Sequence, residues 1–444
     1  MDATKVESRH QLSVNCARGT PAAADSEPAV VFALPELELT MTIELDIVRM
    51  GAQGDGIADT GTGPRYVPFA LPGERVRLSD DALPQVVSTA SGDRAAPLCR
   101  HFGVCGGCVA QHMSDRLYAD WKRGIVVDAF RQHGVQADVA PLRRIAPGSR
   151  RRAVLTAWRK KDGSVGLGYH RRKSNDLVDI EECPILVPAM VASLPVLRAI
   201  AEVMPERETR LTVLLTRGGL DVSINHSVRL GPEAVAGLGR LAAQHRLARI
   251  AMNGDILIAR TAPTLSFGGV DAVPPPGAFV QAAEAAELEI SRLVVDAIGR
   301  PKRVADLFCG IGTWTFPTAR LSRVLAVDGD QTAIAALDAA ARRAQGLKPI
   351  ETKVRDLFRE PLSARELKDF DAVIFDPPRA GAKAQAERLA QSDVPCVVAV
   401  SCDPGTLARD LRILVDGGYS IEAVTPIDQF LFSAHVETVA VLRR

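Results

Sequence analysis

No stretch of this 444-residue chain approaches the roughly 18 consecutive apolar residues that a membrane span needs, and no basic start leads into an apolar run as in a secretory signal. A membrane partner is therefore not expected, and the predicted location is cytoplasmic. A surplus of one charge is also missing: 54 Lys and Arg against 53 Asp and Glu leave a net charge of +1, so the average neither requires nor excludes a polyanionic partner. Cysteine is sparse, with eight in the chain, and without a secretory signal these read as thiols, metal ligands or nucleophiles rather than disulfides. Internal repeats are absent. What is present is 47% hydrophobic and 24% charged residues, enough apolar material for two or three globular domains.

Residues 1–40 mix Ala, Ser, Pro and Glu without a sustained period and read as a disordered tail holding Cys16, with Met41 as an alternative start. Beyond it, Met41–Val48 alternates as a strand, Gly51–Gly63 supplies a glycine-rich turn, and Tyr66–Ala70 and Glu74–Leu78 read as further strands. This pattern predicts an OB-like β-barrel over 41–98, a type that often carries nucleic acid. Residues 99–275 read as a central α+β domain that opens with a cysteine-rich segment and a helix near Tyr118–Phe130. In 276–444, apolar strands at 303–308, 323–328, 371–376 and 396–401 alternate with Ala- and Leu-rich helices, the pattern of a parallel, doubly wound α/β sheet.

In that last part, Val304–Leu307 runs into Phe308-Cys309-Gly310-Ile311-Gly312, and the next strand ends at Asp328, about 20 residues on, where an acidic side chain grips ribose hydroxyls. Trp314 and Thr315 stand where a dinucleotide site needs bare backbone. The pocket therefore fits S-adenosylmethionine better than NAD, with a Rossmann-like methyltransferase domain around it. Asp356 is placed at the adenine edge, with a helix N-cap as its ordinary alternative.

Phe375-Asp376-Pro377-Pro378-Arg379 closes the fourth strand, and Arg379 replaces the aromatic residue usual in methylation of exocyclic amines, which favours a carbon target. Val397–Ser401 ends at Cys402, on the rim where open α/β sheets bind ligands. A thiolate there adds to carbon 6 of a pyrimidine and makes carbon 5 electron-rich. The following helix start and Arg409 are expected to lower the thiol pKa. A base must then remove the proton from carbon 5; Glu437 is the candidate and His435, on the same expected strand face, its rival.

Cys99, Cys105 and Cys108, with Cys183 far downstream, supply four thiolates that suit either zinc or an iron-sulfur cluster, while the spacing departs from the Cys-x3-Cys-x2-Cys of radical enzymes. Cys309 and Cys396 read as buried strand residues. Arg143, Arg144, Arg150, Arg151, Arg152, Arg159, Lys160, Lys161, Arg171, Arg172 and Lys173 crowd one span, where a basic surface would release counterions from a phosphate backbone.

Together these residues resemble the bacterial RNA uracil-5-methyltransferases, and among them the 23S ribosomal RNA members, over nearly the whole chain from Met41. The resemblance implies a TRAM domain at the N-terminal barrel and a 4Fe-4S cluster on Cys99, Cys105, Cys108 and Cys183, within a Cys-Gly-Gly-Cys-x2-Gln-His run ending at His112. It implies that Gln281, in Phe279-Val280-Gln281, contacts the methionine part of the cofactor, that Phe279 lies near the target base, and that Phe308, Asp328 and Asp376 hold the cofactor. Cys402, in Ser-Cys-Asp-Pro-x-Thr-Leu-Ala-Arg-Asp, matches the nucleophile, and Glu437 the proton acceptor. Glu284 and Thr313 depart from the family's usual Asn at both places. The implied activity is methylation of carbon 5 of a flipped-out uridine in RNA, foremost 23S ribosomal RNA, with no obligate protein partner. The rivals are a transfer RNA enzyme, a non-catalytic RNA-binding or assembly protein, and a methyltransferase for another substrate.

Overall fold

Strands that are apolar at every position are satisfied only between two layers. In the C-terminal part Val304, Ala372, Ile374, Val398 and Val439 are buried on one side, under the helix Glu284–Ile298. Ala305, Val373, Phe375, Val397 and Ala440 are buried on the other, against the helices Lys383–Ala390 and Pro404–Asp416. The structure, a computed structural model, describes residues 43–78, 84–88, 90–205, 207–227 and 229–444. The expectations for residues 1–40, Cys16 and Met41 lie outside them.

The sheet between these layers runs Ile350–Val354, Arg323–Asp328, Arg303–Leu307, Ala372–Phe375, Cys396–Ser401, Glu437–Arg443, Ser420–Ile427. The first five strands are parallel, as expected. The sheet as a whole is not: the hairpin of the last two strands is inserted antiparallel, with Ser401 opposite Thr438. An edge hairpin leaves no trace in a strand-helix alternation, which is why the sequence reads as parallel throughout.

The central part is a seven-stranded sheet ordered Asp255–Ala259, Leu247–Met252, Gly219–Asn225, Glu208–Thr216, Arg152–Arg159, Val165–His170, Leu177–Asp179. One face is buried under the helices Leu194–Glu202 and Pro232–Gln244. At the N-terminus two three-stranded sheets enclose Ile47, Ala58, Val67, Ala70 and Val76. Here the expected elements shift: Gly56–Thr60 is a strand inside the supposed glycine turn, and the next strand is Gly63–Val67. It stops before Phe69, which adopts a left-handed φ of 58° that no strand continues through.

The helix Asp115–Gln132, capped by the Ser114 hydroxyl, belongs by sequence to the central part but buries Tyr118, Val126 and Phe130 in the core of the catalytic sheet. It also inserts two polar groups there. The Tyr118 hydroxyl donates to Asp428 Oδ1 (2.8 Å) and accepts the Phe432 N–H (2.8 Å). Lys122 Nζ lies 3.2 Å from Asp428 and donates to the carbonyls of Phe430 and His435. Lys122 and Asp428 are both fully buried, with Arg144 Nε 3.7 Å from the other Asp428 oxygen, so removing Lys122 leaves a buried carboxylate with one distant cation. No helix among the described residues is long and apolar enough to cross a membrane.

Removing one partner of such a pair costs about 3–5 kcal/mol. Lys122→Met should therefore shift the urea denaturation midpoint strongly downward, and a midpoint equal to the parent's would mean that the pair does not anchor the segment 428–436.

Candidate active site

The ends of six strands of this sheet converge on one cavity of about 560 Å³. It is lined by Phe279, Gln281, Phe308, Gly310, Asp328, Asp356, Asp376, Arg379, Cys402, Phe430 and Glu437, among others. All the expected cofactor residues and both expected catalytic residues are thus brought together, while Glu284 and Thr313 are outside the lining.

The turn after Arg303–Leu307 is shaped by its backbone. Phe308, Gly310 and Gly312 have φ of 60°, 55° and 97°. A Cβ on Gly310 would meet nothing within 4 Å, leaving its cavity face open, whereas one on Gly312 would stand 2.6 Å from the Phe316 ring. Asp328 fastens this turn: its Oδ2 accepts the Gly310 N–H and its Oδ1 the Asp330 N–H, both at 2.8 Å. The Phe308 ring packs on Phe358 with centroids 5.3 Å apart. Asp356 accepts the Phe358 N–H at 3.0 Å, so it caps a turn as well as lining the cavity.

Deeper in, the buried groups form one chain. Asp376 Oδ2 accepts from Trp314 Nε1 and Gln281 Nε2, both at 3.1 Å. Gln429 Nε2 donates to Gln281 Oε1 (2.6 Å) and to Glu437 Oε2 (2.8 Å). Burial raises the Asp376 carboxyl to about 6, against the pull of Trp314 and Gln281. Burial, then the neighbouring Asp376 charge, raises Glu437 well above the carboxylate range, opposed by Gln429. Gln429 and Trp314 were not singled out from sequence. Gln429 sits in a loop without periodicity, and Trp314 was read for what it excludes rather than for the Asp376 oxygen it holds.

Cys402 is half-buried one residue beyond Ser401, so the Ser401–Thr438 pairing carries it alongside Glu437. Its thiol is not lowered as expected. Burial pushes it up to about 11, the charges of Glu437 and Asp376 add to this, and Arg379 opposes them. Arg409 gives little help because its guanidinium is turned to Asp410 Oδ1 (2.8 Å) and the Ala380 carbonyl (3.0 Å). His435 is displaced as the rival base: the strand begins only at Glu437, and His435 lines a neighbouring cavity, its Nε2 facing Arg379 at 3.0 Å.

That neighbouring cavity, about 360 Å³, is lined by Cys99, Cys105, Cys108 and Cys183 with Arg150, Arg152, Arg379, Phe430 and His435. Burial raises all four thiols, Cys108 to about 12. Among the described residues no three His, Cys, Asp or Glu side chains form a group that could hold a metal ion. Cys396 is a buried strand residue, whereas Cys309 is buried just past its strand, in the glycine turn.

Relatives of known sequence decide the family. An uncharacterized RNA methyltransferase of Rhizobium meliloti is 48% identical over 416 residues, covering 91% of this chain and all of the relative. The 23S rRNA (uracil(1939)-C(5))-methyltransferase RlmD of Chromohalobacter salexigens is 33% identical over 90% of this chain and 89% of its own length. This chain belongs to the RNA uracil-5-methyltransferases. The model of the tRNA (Uracil-5-)-methyltransferase family matches residues 275–444 of this methyltransferase. In fold it is similar to the Pyrococcus abyssi tRNA (uracil-54, C5)-methyltransferase solved with S-adenosyl-L-homocysteine, at a TM-score of 0.69 and 23% identity over 90% of this chain and all of that one. It is an S-adenosylmethionine-dependent enzyme acting on RNA, with a Rossmann-like C-terminal part and a β-rich N-terminus.

Gly312→Ala forces a side chain into a left-handed turn and onto the Phe316 ring, at a cost of about 1–3 kcal/mol. Calorimetry with S-adenosylhomocysteine should show about tenfold weaker binding or worse. Unaltered affinity would remove this turn from the cofactor site.

Proposed function

We propose that this methyltransferase methylates carbon 5 of one uridine in 23S ribosomal RNA through a covalent bond between Cys402 and uracil carbon 6. The observation that carries it is the convergence of Cys402, Glu437 and Asp376 on one cavity that also opens to Gly310 and Asp328. The RlmD relative, matched over most of both chains, supports ribosomal over transfer RNA.

S-adenosylmethionine, when bound, supplies an electrophilic methyl group. Gln281, Phe308, Asp328, Asp356 and Asp376 are the residues that would hold it. Cys402 Sγ forms a bond to carbon 6, and the electron pair of the 5,6 double bond moves toward carbon 5 and oxygen 4. Phe279, 71% exposed at the cavity mouth, is positioned to receive the flipped base. After carbon 5 has taken the methyl group, Glu437 removes its remaining proton, the double bond re-forms and the Cys402–carbon 6 bond breaks. Burial makes the ionised form of Glu437 both scarcer and more basic, so it serves this step once its own proton has left.

The same reading divides the chain into a TRAM-like RNA-binding part at 41–98, a central part at 99–275 and the methyltransferase part at 276–444. It assigns a 4Fe-4S cluster to Cys99, Cys105, Cys108 and Cys183. What supports it is that the four cysteines line one cavity and match the cluster ligands in the family resemblance, which is also what favours iron-sulfur over zinc.

Anaerobically purified protein should carry iron and sulfide in equal amounts and lose both in Cys108→Ser; iron-free wild type would remove the cluster. With labelled S-adenosylmethionine and unmodified 23S ribosomal RNA, wild type should form 5-methyluridine and Cys402→Ala none. Glu437→Gln should accumulate a denaturation-resistant protein–RNA adduct, and label without any adduct would sink the covalent route. Because the thiol of the free protein titrates near 11, single-turnover adduct formation should rise with pH from 7 to 10, up to about tenfold per unit. A flat profile would mean that RNA binding itself lowers the thiol.

A further inference from the structure

The crowded basic span divides into two populations. Arg151 is buried against Glu287 (2.6 Å), Arg172 reaches Asp55 (2.6 Å) and Lys160 reaches Asp179 (2.7 Å). Arg143 and Arg144 meet Glu289 and Asp115, and Arg159 donates to the carbonyls of Glu202 and Met204. These are internal fastenings. Arg150 and Arg152, like the exposed Lys161, Arg171 and Lys173, have no carboxylate partner among the described residues; the first two donate only to the carbonyls of Arg152 and Ala278.

The register of the central sheet adds one more unpaired cation. Thr156 lies opposite Arg210, Val154 opposite Thr212 and Arg152 opposite Leu214. Residues alternate, so Ala153, Leu155, Ala157, Leu211 and Val213 form the face buried under the two helices. Arg152, Val154, Thr156, Trp158, Arg210 and Thr212 lie on the other and none of these six is buried, whereas Leu214, opposite Arg152 on the same face, is covered. Arg152 is pulled below the usual arginine range by burial and by the charges of Arg150 and Arg210, so the three cations feel one another. Arg150 and Arg152 also line the cysteine cavity, whose thiolates would offset part of their charge, whereas the exposed Arg210 is outside that lining and is left for an anion to join.

Two aromatics flank the cluster. The Arg152 guanidinium stands 5.7 Å from the ring centre of Phe279, at the mouth of the cavity that holds Cys402. Further along, Trp158 lies over Gly166, where a Cβ would be 2.5 Å from the indole; the absent side chain lets the ring lie on the strand. Glu208, opposite Trp158, ends the basic stretch.

We propose that this sheet face is a track for single-stranded RNA: Arg150, Arg152 and Arg210 hold backbone phosphates beside the target uridine, and Trp158 stacks a base farther along the strand. Cationic side chains interleaved with accessible aromatics are how sequence-tolerant single-strand sites work. The track rests on the reading that the target uridine enters at Phe279 and Cys402.

The test follows binding of a fluorescein-labelled single-stranded oligouridylate over a series of KCl concentrations. Arg210 is exposed and has no ion pair among the described residues, so Arg210→Gln leaves the fold intact; Arg152→Gln is the second variant, and Arg342→Gln on the helix Gln331–Arg343, which is not part of the track, is the control. For each track arginine lost, affinity should fall severalfold and the slope of log K on log[KCl] should flatten by about 0.7, the single-strand value per phosphate contact. S-adenosylhomocysteine affinity and the Arg342→Gln slope should stay at wild type. Wild-type slopes for both track variants would overturn the proposal. Separated slopes in a protein whose wild type labels no RNA would sustain the track and overturn the Cys402 reading instead.

Discussion

The reactive centre depends on one strand register. The pairing of Glu437–Arg443 with Cys396–Ser401 brings the last strand of the chain next to the strand that ends in Cys402. A slip of one residue would turn Glu437 to the opposite face of the sheet and leave Cys402 without it. Turn chemistry alone does not hold this register, because the connection from Asp428 to Val436 is long and irregular. It is held from outside, by Tyr118 and Lys122, which take up Asp428 and the Phe430 and His435 carbonyls.

Around this register the protein concentrates acid where solvent is scarce. Asp306 is fully buried and raised to about 7, with Thr315 on one oxygen, and Asp376 and Glu437 lie nearby. Neutral donors reach two of them, Trp314 and Gln281 on Asp376 and Gln429 on Glu437, while one oxygen of Asp306 has no partner among the described residues. A positive ligand beside such carboxyls would restore the charge that burial suppresses, which suits a sulfonium compound and would weaken the hold on its spent thioether.

Much of this was legible in the sequence, for identifiable reasons. The parallel strands announce themselves because both faces are buried and the apolar run is continuous, and Cys402, Asp376 and Asp328 follow as the residues at their ends. Gly310 and Gly312 are legible because only a turn of positive φ asks for them. The antiparallel hairpin, Gln429 and Lys122 were not, since each acts through contacts between segments remote in the chain. The basic span misled in the other direction. Local charge density does not distinguish an arginine clamped to Glu287 from one facing solvent, and the third cation of the open face, Arg210, lies outside the span altogether.

The position of the helix Asp115–Gln132 bears on how such enzymes can be dismantled or recombined. The family model spans residues 275–444 although relatives match some nine-tenths of the chain, and that span invites treatment as a transferable module. The hydrophobic core of that stretch is nevertheless completed by Tyr118, Trp121, Val126 and Phe130. Excised alone, it would bare an apolar groove the width of a helix and strand the Asp428 carboxylate there. The bounds of the family model and those of a mechanically independent unit therefore differ in this protein, and a working graft would have to begin well before residue 275.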